Sequence, residues 1–325
     1  MKFRCFVFFL TSVSSFCFAP PFLIGAATGA GHRTGADSDS KSVANKAVVA
    51  SSPPEAPAVP PSFRAVAGYS LFRTTSDLLR SDGQVSSQAY GAEVSFFAAS
   101  RGHIFFGEFG YEKTDYRFRG VAAPFDGCEQ LKLSFFYEHA LTSKWAVLAL
   151  ASGALAAEQG SDFGDGATGR IGGGVKYAIS KDLNFSVGVG VANRLSDDPS
   201  WFPYAGLTWR ISPNWSLRSA AGLTLVYDVF ADHTLRFELS GGYRMSGFRL
   251  KNVSADEERR KRAIEIREGE VRLGVIKEFF KRSAYIRADV GGNFSNTYKF
   301  HGSGGGNDFR SDSAAVFRIE AGVRF

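Results

Sequence analysis

The stretch LNFSVGVGVANR, residues 183–194, alternates without a break. Leu183, Phe185, Val187, Val189 and Val191 fall on one parity. Asn184, Ser186, Gly188, Gly190, Ala192 and Arg194 fall on the other. A period of two sends these sets to opposite faces of an extended strand, one apolar, the other small or polar. The run also exceeds an ordinary strand. Soluble strands average about five or six residues, whereas a tilted strand needs about nine to eleven to cross hydrocarbon. The stretch therefore reads as one stave of a membrane barrel.

The same pattern recurs outward from it. TGRIGGGVKYAI (168–179) alternates Ile171, Val175, Tyr177 and Ile179 against Arg170, Gly172, Gly174 and Lys176, and 130–139 behaves likewise. So do 214–227, 234–245, 267–279, 284–294 and 314–325, with less regular segments at 63–73, 87–98, 102–116, 144–157 and 201–211. No helical period interrupts the series, which excludes a parallel βαβ fold. Mean hydropathy is -0.09, and no run of about 18 apolar residues follows the first thirty positions, so a helical membrane bundle is excluded too. A large soluble β-sandwich remains as the competitor. Strand length, the lack of a disulfide framework and an export signal all weigh against it.

The connections sort into short and long, as an outer-membrane barrel requires. Short ones are AASRG (98–102), TSK (142–144), SKD (180–182), SPN (212–214) and KR (281–282). Long ones cover 74–86, 117–129, 158–169, 194–201, 251–266 and 295–312. Trp145, Trp201, Trp209 and Trp215 fall near strand ends, where an aromatic girdle belongs. The parity of loops fails once, between 214 and 251. Either the chain turns at Met245–Gly247, or it turns near Ala220–Gly222 with a bulge at Gly247, where Phe248 and Leu250 change phase. Both give fourteen strands, and a piece left unpaired gives twelve. The expected fold is all-β: a transmembrane up-and-down antiparallel β-barrel of about 12–14 strands with a flexible N-terminal tail.

The first thirty residues carry Lys2 and Arg4, an apolar core and small residues, the layout of a secretory signal peptide over 1–30. Residues 31–61 are rich in Ser, Ala and Pro, have no aromatic residue, and read as a flexible periplasmic linker. The barrel is assigned to 62–325. Cleavage of the signal removes Cys5 and Cys17 and leaves Cys128 as the one thiol.

The last stretch, VFRIEAGVRF (316–325), resembles the terminal strand by which outer-membrane barrels are handed to the barrel-assembly machinery: Phe317, Ile319, Ala321, Val323 and Phe325 on one parity, ending on an aromatic residue. Such an edge is recognised by strand addition and later closes against the first strand. Further stretches, APFDGCEQLKLSFFYEH (123–139), SKW (143–145), WFPYAGLTWRISPNWSLR (201–218) and GGYRMSGFRL (241–250), resemble an uncharacterised family of bacterial outer-membrane β-barrel proteins, a domain of unknown function. The resemblance covers roughly 62–325. It implies the bacterial outer membrane and its lipids, and supplies no active residues. EERRKRAIEIRE (257–268) departs from the glycine-rich loop of that family.

Parity places on the lumen face Lys132, Arg170, Lys176, Arg210, Arg218, Arg236, Arg244, Arg272, Arg287, Arg318 and Arg324, with Glu108, Glu112, Glu138, Glu238, Glu270, Glu278, Asp289 and Glu320. Two readings stand: ion pairs that fill and stiffen the interior, or a water path with mild anion preference. The expected function is a pore or small-solute channel with a charged lumen, against a non-conducting barrel with a plugged lumen. Outer-membrane lipase or protease chemistry has little support. His139 lies at a strand end without a serine motif, and His233 with Asp228 and Asp232, or His301 with Asp308 and Asp312, form only loose clusters. No cofactor is called for, and five histidines with no close pairs give no metal site. Gly172–Gly174 has no following helix, so it is no phosphate loop; its plain reading is room for the wall to bend, while Gly304–Gly306 is loop flexibility. Residues 257–268 read as a solvated loop, or as a basic patch for lipopolysaccharide. A net charge of +6 with scattered basic residues gives nucleic-acid binding no support.

Overall fold

A computed structural model describes residues 59–79, 81–100, 102–195, 199–219, 222–251, 263–302 and 308–324. The signal peptide, most of the linker, the basic run before Ala263, Gly304–Gly306 and Phe325 lie outside the described residues. Among those described, no helix is long and apolar enough to cross a membrane.

The strands are β1 (Val59–Asp77), β2 (Gln84–Ser100), β3 (His103–Arg119), β4 (Gly127–Ala140), β5 (Trp145–Glu158), β6 (Ala167–Ala178), β7 (Leu183–Asn193) and β8 (Ser200–Arg210). They continue with β9 (Trp215–Ser219), β10 (Leu223–Asp228), β11 (Leu235–Arg249), β12 (Ala263–Phe279), β13 (Ala284–His301), β14 (Phe309–Ser311) and β15 (Ala314–Arg324). Each pairs antiparallel with its sequence neighbour from β1 to β13. β15 pairs with β13 and with β1, so the sheet closes. The short β14 pairs with β13 just beyond β15 and continues its line, which leaves fourteen staves. Pairing the last strand with the first removes the two terminal edges, the condition for crossing lipid with strands.

The alternation decides the two faces. Ile171, Val189, Leu273, Val290 and Ile319 are exposed on the outer surface, Ile171 by 66% and Ile319 by 63%. The opposite parity is largely buried or half-buried. At the end carrying the short turns, Trp145 lies 4.6 Å from Tyr177 and Trp215 4.7 Å from Tyr227, ring centre to ring centre. Three of those turns share one chemistry. Thr142, Ser180 and Ser212 each turn a side-chain oxygen onto a backbone N–H two or three residues on, at 3.0 to 3.2 Å. This is the hydroxyl-stabilised turn that TSK, SKD and SPN encode.

Of the two places expected for the additional reversal, the chain uses the one near Ala220–Gly222: Ser219 pairs with Leu223 and closes the β9–β10 hairpin, while Met245–Gly247 is strand. No bulge marks Gly247, because β11 pairs with β12 in continuous register from Leu235 to Arg249. Phe248 and Leu250 are apolar and nevertheless point inward, which only looked like a change of phase. The long loop assigned to 251–266 is shorter than expected, since β12 already begins at Ala263. Loops at 117–129 and 295–312 shrink likewise, because β3, β4 and β13 run past the sequence boundaries. The strands at the long-loop end project beyond the lipid-facing alternation.

The β9–β10 hairpin has only five and six residues, against fifteen in β11. Above it β11 has no strand neighbour on that side among the described residues. It leans instead onto β5, through a parallel bridge between Arg249 and Ala157. The barrel thus has two girths. Its short-turn half runs through fourteen staves. Its long-loop half closes through β11, β12, β13, β15 and β1 to β5, nine strands.

Candidate functional site: the barrel interior

Side chains fill a barrel of about eight strands, and the nine-strand half is filled. Phe125, Ala156, Phe248, Leu250, Ile264, Ile266 and Tyr298 form one buried apolar cluster, with Tyr116, Phe118, Cys128, Phe300 and Phe309 packed against it. Phe125 comes from the β3–β4 loop. Gly120, at φ 73°, starts that loop in a conformation costly for other residues. The Phe125 ring meets Tyr116 at 5.0 Å, Phe118 at 5.2 Å and Phe248 at 5.5 Å, all edge-on. Glu158, at the end of β5, ties the two inward segments together. It accepts from Asp126 N at 3.2 Å and from Lys251 N at 2.7 Å. Arg249 Nε donates to Asp165 O at 3.0 Å beside them.

Below the apolar cluster lies a charged layer. Arg244 of β11 reaches Glu112 of β3 at 3.2 Å. These strands are far apart in the sheet, so the pair crosses the interior. Tyr69 donates to the same carboxylate at 2.6 Å, and Lys132 approaches it at 3.9 Å. Arg318 pairs with Glu320 at 2.6 Å and lies over the Tyr69 ring. Tyr285 also donates to Glu320. Arg287 joins Glu238 at 3.0 Å and Asp289 at 2.9 Å, and Arg272 joins Glu270 and Asp289. Arg324 and Arg282 share Glu278, at 3.5 and 3.6 Å. Lys176 pairs with Glu138, and Arg236 with Asp228 at 3.0 Å. Burial of such charges is tolerable only because they are paired and hydrogen-bonded.

Sequence reasoning missed several members. Arg73 and Glu268 form a buried pair at 2.6 Å. Glu268 lies where the alternating segment 267–279 overlaps the basic run 257–268, and Arg73 sits in a strand whose alternation is irregular because β1 shifts register between Val66 and Gly68. His103 and His139 are brought side by side by the β3–β4 register and stack at 4.4 Å, so the five histidines do include a close pair. His103 Nδ1 is also 2.7 Å from the Tyr137 hydroxyl. His233 meets Asp228 at 2.9 Å, whereas Asp232 instead accepts from the Thr234 N–H and hydroxyl. Asp308 accepts from Phe300 N. Among the described residues no three His, Cys, Asp or Glu side chains converge as a metal site.

The remaining wall, β6 to β8, has a different character. The register sets four rows across β5, β6, β7 and β8 on the inner face: Ser152, Arg170, Ala192, Ser200; then Leu150, Gly172, Gly190, Phe202; then Leu148, Gly174, Gly188, Tyr204; then Ala146, Lys176, Ser186, Gly206. The glycines have a use beyond bending. The Phe202 ring occupies the space a Cβ at Gly190 would need, and the Tyr204 ring does so at Gly174 and Gly188. The rings therefore lie flat in a glycine floor. Pro203 between them has no N–H to donate, and tolerates its place because, among the described residues, β8 carries no partner beyond Leu207 on the β9 side. Arg170, Arg210 and Arg218 share this inner face, as does Glu108 on β3.

Solved outer-membrane barrels resemble this chain in overall course. The COG4313 outer membrane channel from Pseudomonas putida F1 matches with a TM-score of 0.45 at 10% identity, over 83% of this chain and 97% of that one. A deltaS2 mutant of the monoaromatic hydrocarbon channel TodX gives 0.43 at 10% identity, over 82% and 90%. The NanC porin gives 0.37 at 9% identity, over 80% and 98%. No curated protein matches in sequence. The model of one family, a domain of unknown function (DUF6268), matches residues 128–325, more than half of the chain, and the chain belongs to that family.

Proposed function

We propose that the protein is a narrow outer-membrane channel for small solutes, with its path along the β6–β8 wall. The observation that carries this reading is the asymmetry of the interior. Opposite that wall, arginines and carboxylates are paired and an apolar cluster fills the long-loop half. Along β6 to β8, four inward positions in two rows are glycine, and the inward charges beside them are Arg170 and Lys176, the latter paired with Glu138 of β4. The continuous band of exposed apolar side chains supports a lipid-facing surface, since soluble proteins rarely present such a band. Barrel lipids, the assembly machinery and a lipopolysaccharide contact of the basic run belong to the same proposal.

The second reading, a closed structural barrel, is favoured by the Arg244–Glu112 pair that crosses the interior. Single-channel recording of the refolded full chain in a planar bilayer decides between them. The channel reading expects small steps with a reversal potential shifted toward the anion in a salt gradient. A flat trace at 200 mV (on the order of the largest usable field) overturns it and leaves the closed barrel.

A further inference from the structure

We propose that the inner face of β6–β8 is a binding site for small organic anions with a flat apolar body, of the aromatic monocarboxylate class. This rests on the reading of that wall as the solute path and adds what it recognises.

The site has an apolar part and a polar end. Phe202 and Tyr204 lie inlaid in the glycine floor, flanked by Leu148 and Leu150 from β5. Phe202 is buried with Ala192, and Leu150 and Tyr204 pack against them. A ring stacked on this surface meets π-faces and methyl groups, and little else. The rows then end, toward the long loops, on Arg170, Ala192 and Ser200, with Arg194 one inward position further along β7. Arg170 and Arg194 are thus neighbours on one face.

Three orphaned polar atoms mark the same strip. Arg194 Nε, Ser200 Oγ and the Tyr204 hydroxyl are each buried and have no hydrogen-bond partner among the described residues. A buried donor left unmet is costly, and three on one short stretch of wall are unusual. A carboxylate answers the Arg194 and Ser200 atoms chemically, while the Tyr204 hydroxyl lies two rows away beside the ring surface. The carboxylate accepts from a guanidinium in two parallel bonds, and a hydroxyl can supply a third. Inorganic phosphate would meet the same donors and leave the inlaid rings uncovered. A neutral ring would cover the rings and leave the donors unmet.

The test is titration calorimetry on the refolded full chain in detergent, with benzoate, benzamide and inorganic phosphate as probes. Benzoate binds saturably, and benzamide and phosphate bind at least about tenfold more weakly, as expected when either half of the contact is lost. Arg194→Gln weakens benzoate by about tenfold or more without changing benzamide. Because Arg194 stands near a loop, its thermal unfolding is followed by circular dichroism alongside. Gly188→Val, which displaces the Tyr204 ring, weakens benzoate and leaves phosphate unchanged. Benzamide binding as tightly as benzoate, phosphate binding as tightly, unaltered benzoate affinity in a folded Arg194→Gln, or no benzoate binding at all overturns the proposal. Binding is read without conduction. A flat bilayer trace with benzoate bound sinks the channel and keeps this site; conduction without benzoate binding does the reverse.

Discussion

Replacing Phe125 with Ala tests whether the long-loop half is held shut by packing. Phe125 is 2% exposed and belongs to a loop, so its loss acts on loop closure before it acts on the barrel. Truncating a buried Phe costs about 3–5 kcal/mol. The three edge-on rings within 5.5 Å place this site within that range by their additional attraction of about 0.5–1.5 kcal/mol each. The Glu158 tie to Asp126 survives the substitution, and a lumen-side cavity can take up water, so the lower part of the range applies, about 3–4 kcal/mol. At about 1.4 kcal/mol per factor of ten, the open population of the loop rises by two to three powers of ten. A direct reporter exists. Tyr116 N donates to Asp126 O at 2.8 Å, so its amide exchanges only when the loop leaves. Hydrogen exchange followed by mass spectrometry should show peptides over 115–127 exchanging about 10²- to 10³-fold faster, with 167–178 unchanged. Unaltered exchange at 115–127 would refute the packing argument. Acceleration in both regions would refute independent opening of the β3–β4 loop.

Two further outcomes follow from the charged layer and the short-turn end. Arg244→Met should lower stability toward urea by about 1–3 kcal/mol, less than a fully buried pair because the guanidinium is a third exposed. The double variant Glu112→Gln with Arg244→Met should lose less than the sum of the singles, since both partners leave together; simple additivity would argue against a direct cross-lumen pair. At the β10–β11 turn, bonds from the Thr234 N–H and hydroxyl hold the Asp232 carboxyl below the ordinary aspartate range. Its folded pKa is depressed, so its support for the turn is present at neutral pH and is lost as pH falls below about 4. The protection factor of the Thr234 amide should therefore drop with acid in the wild type and stay flat in Asp232→Asn.

The fold was legible because lipid demands a strict rule. Every second residue of LNFSVGVGVANR must be apolar on the outside, and nothing inside disturbs that pattern where glycines line the wall. Legibility failed where the interior is apolar too. Phe248, Leu250, Ile264 and Ile266 face inward into a protein core, so alternation between greasy and polar disappears although the strand continues. The notion that apolar means lipid-facing holds only in the fourteen-stave half. The charged layer was readable as a set of residues. Its partners were not, because Arg244 and Glu112 are separated by the barrel's closure and no local spacing encodes it. Likewise His103 and His139 meet through hairpin register alone.

The shortcut between β11 and β5 separates what the barrel must conserve from what it can vary. The arc from β6 to β10 lies outside the nine-strand ring and touches the packed cluster only at its margin. Hairpins can be gained, lost or shortened within this arc, and its inlaid rings exchanged, while the ring that stores the folding energy keeps its circumference. The stubby β9–β10 hairpin looks like such an adjustable part. The interior can therefore be reshaped on one flank without re-solving the problem of closure on the other.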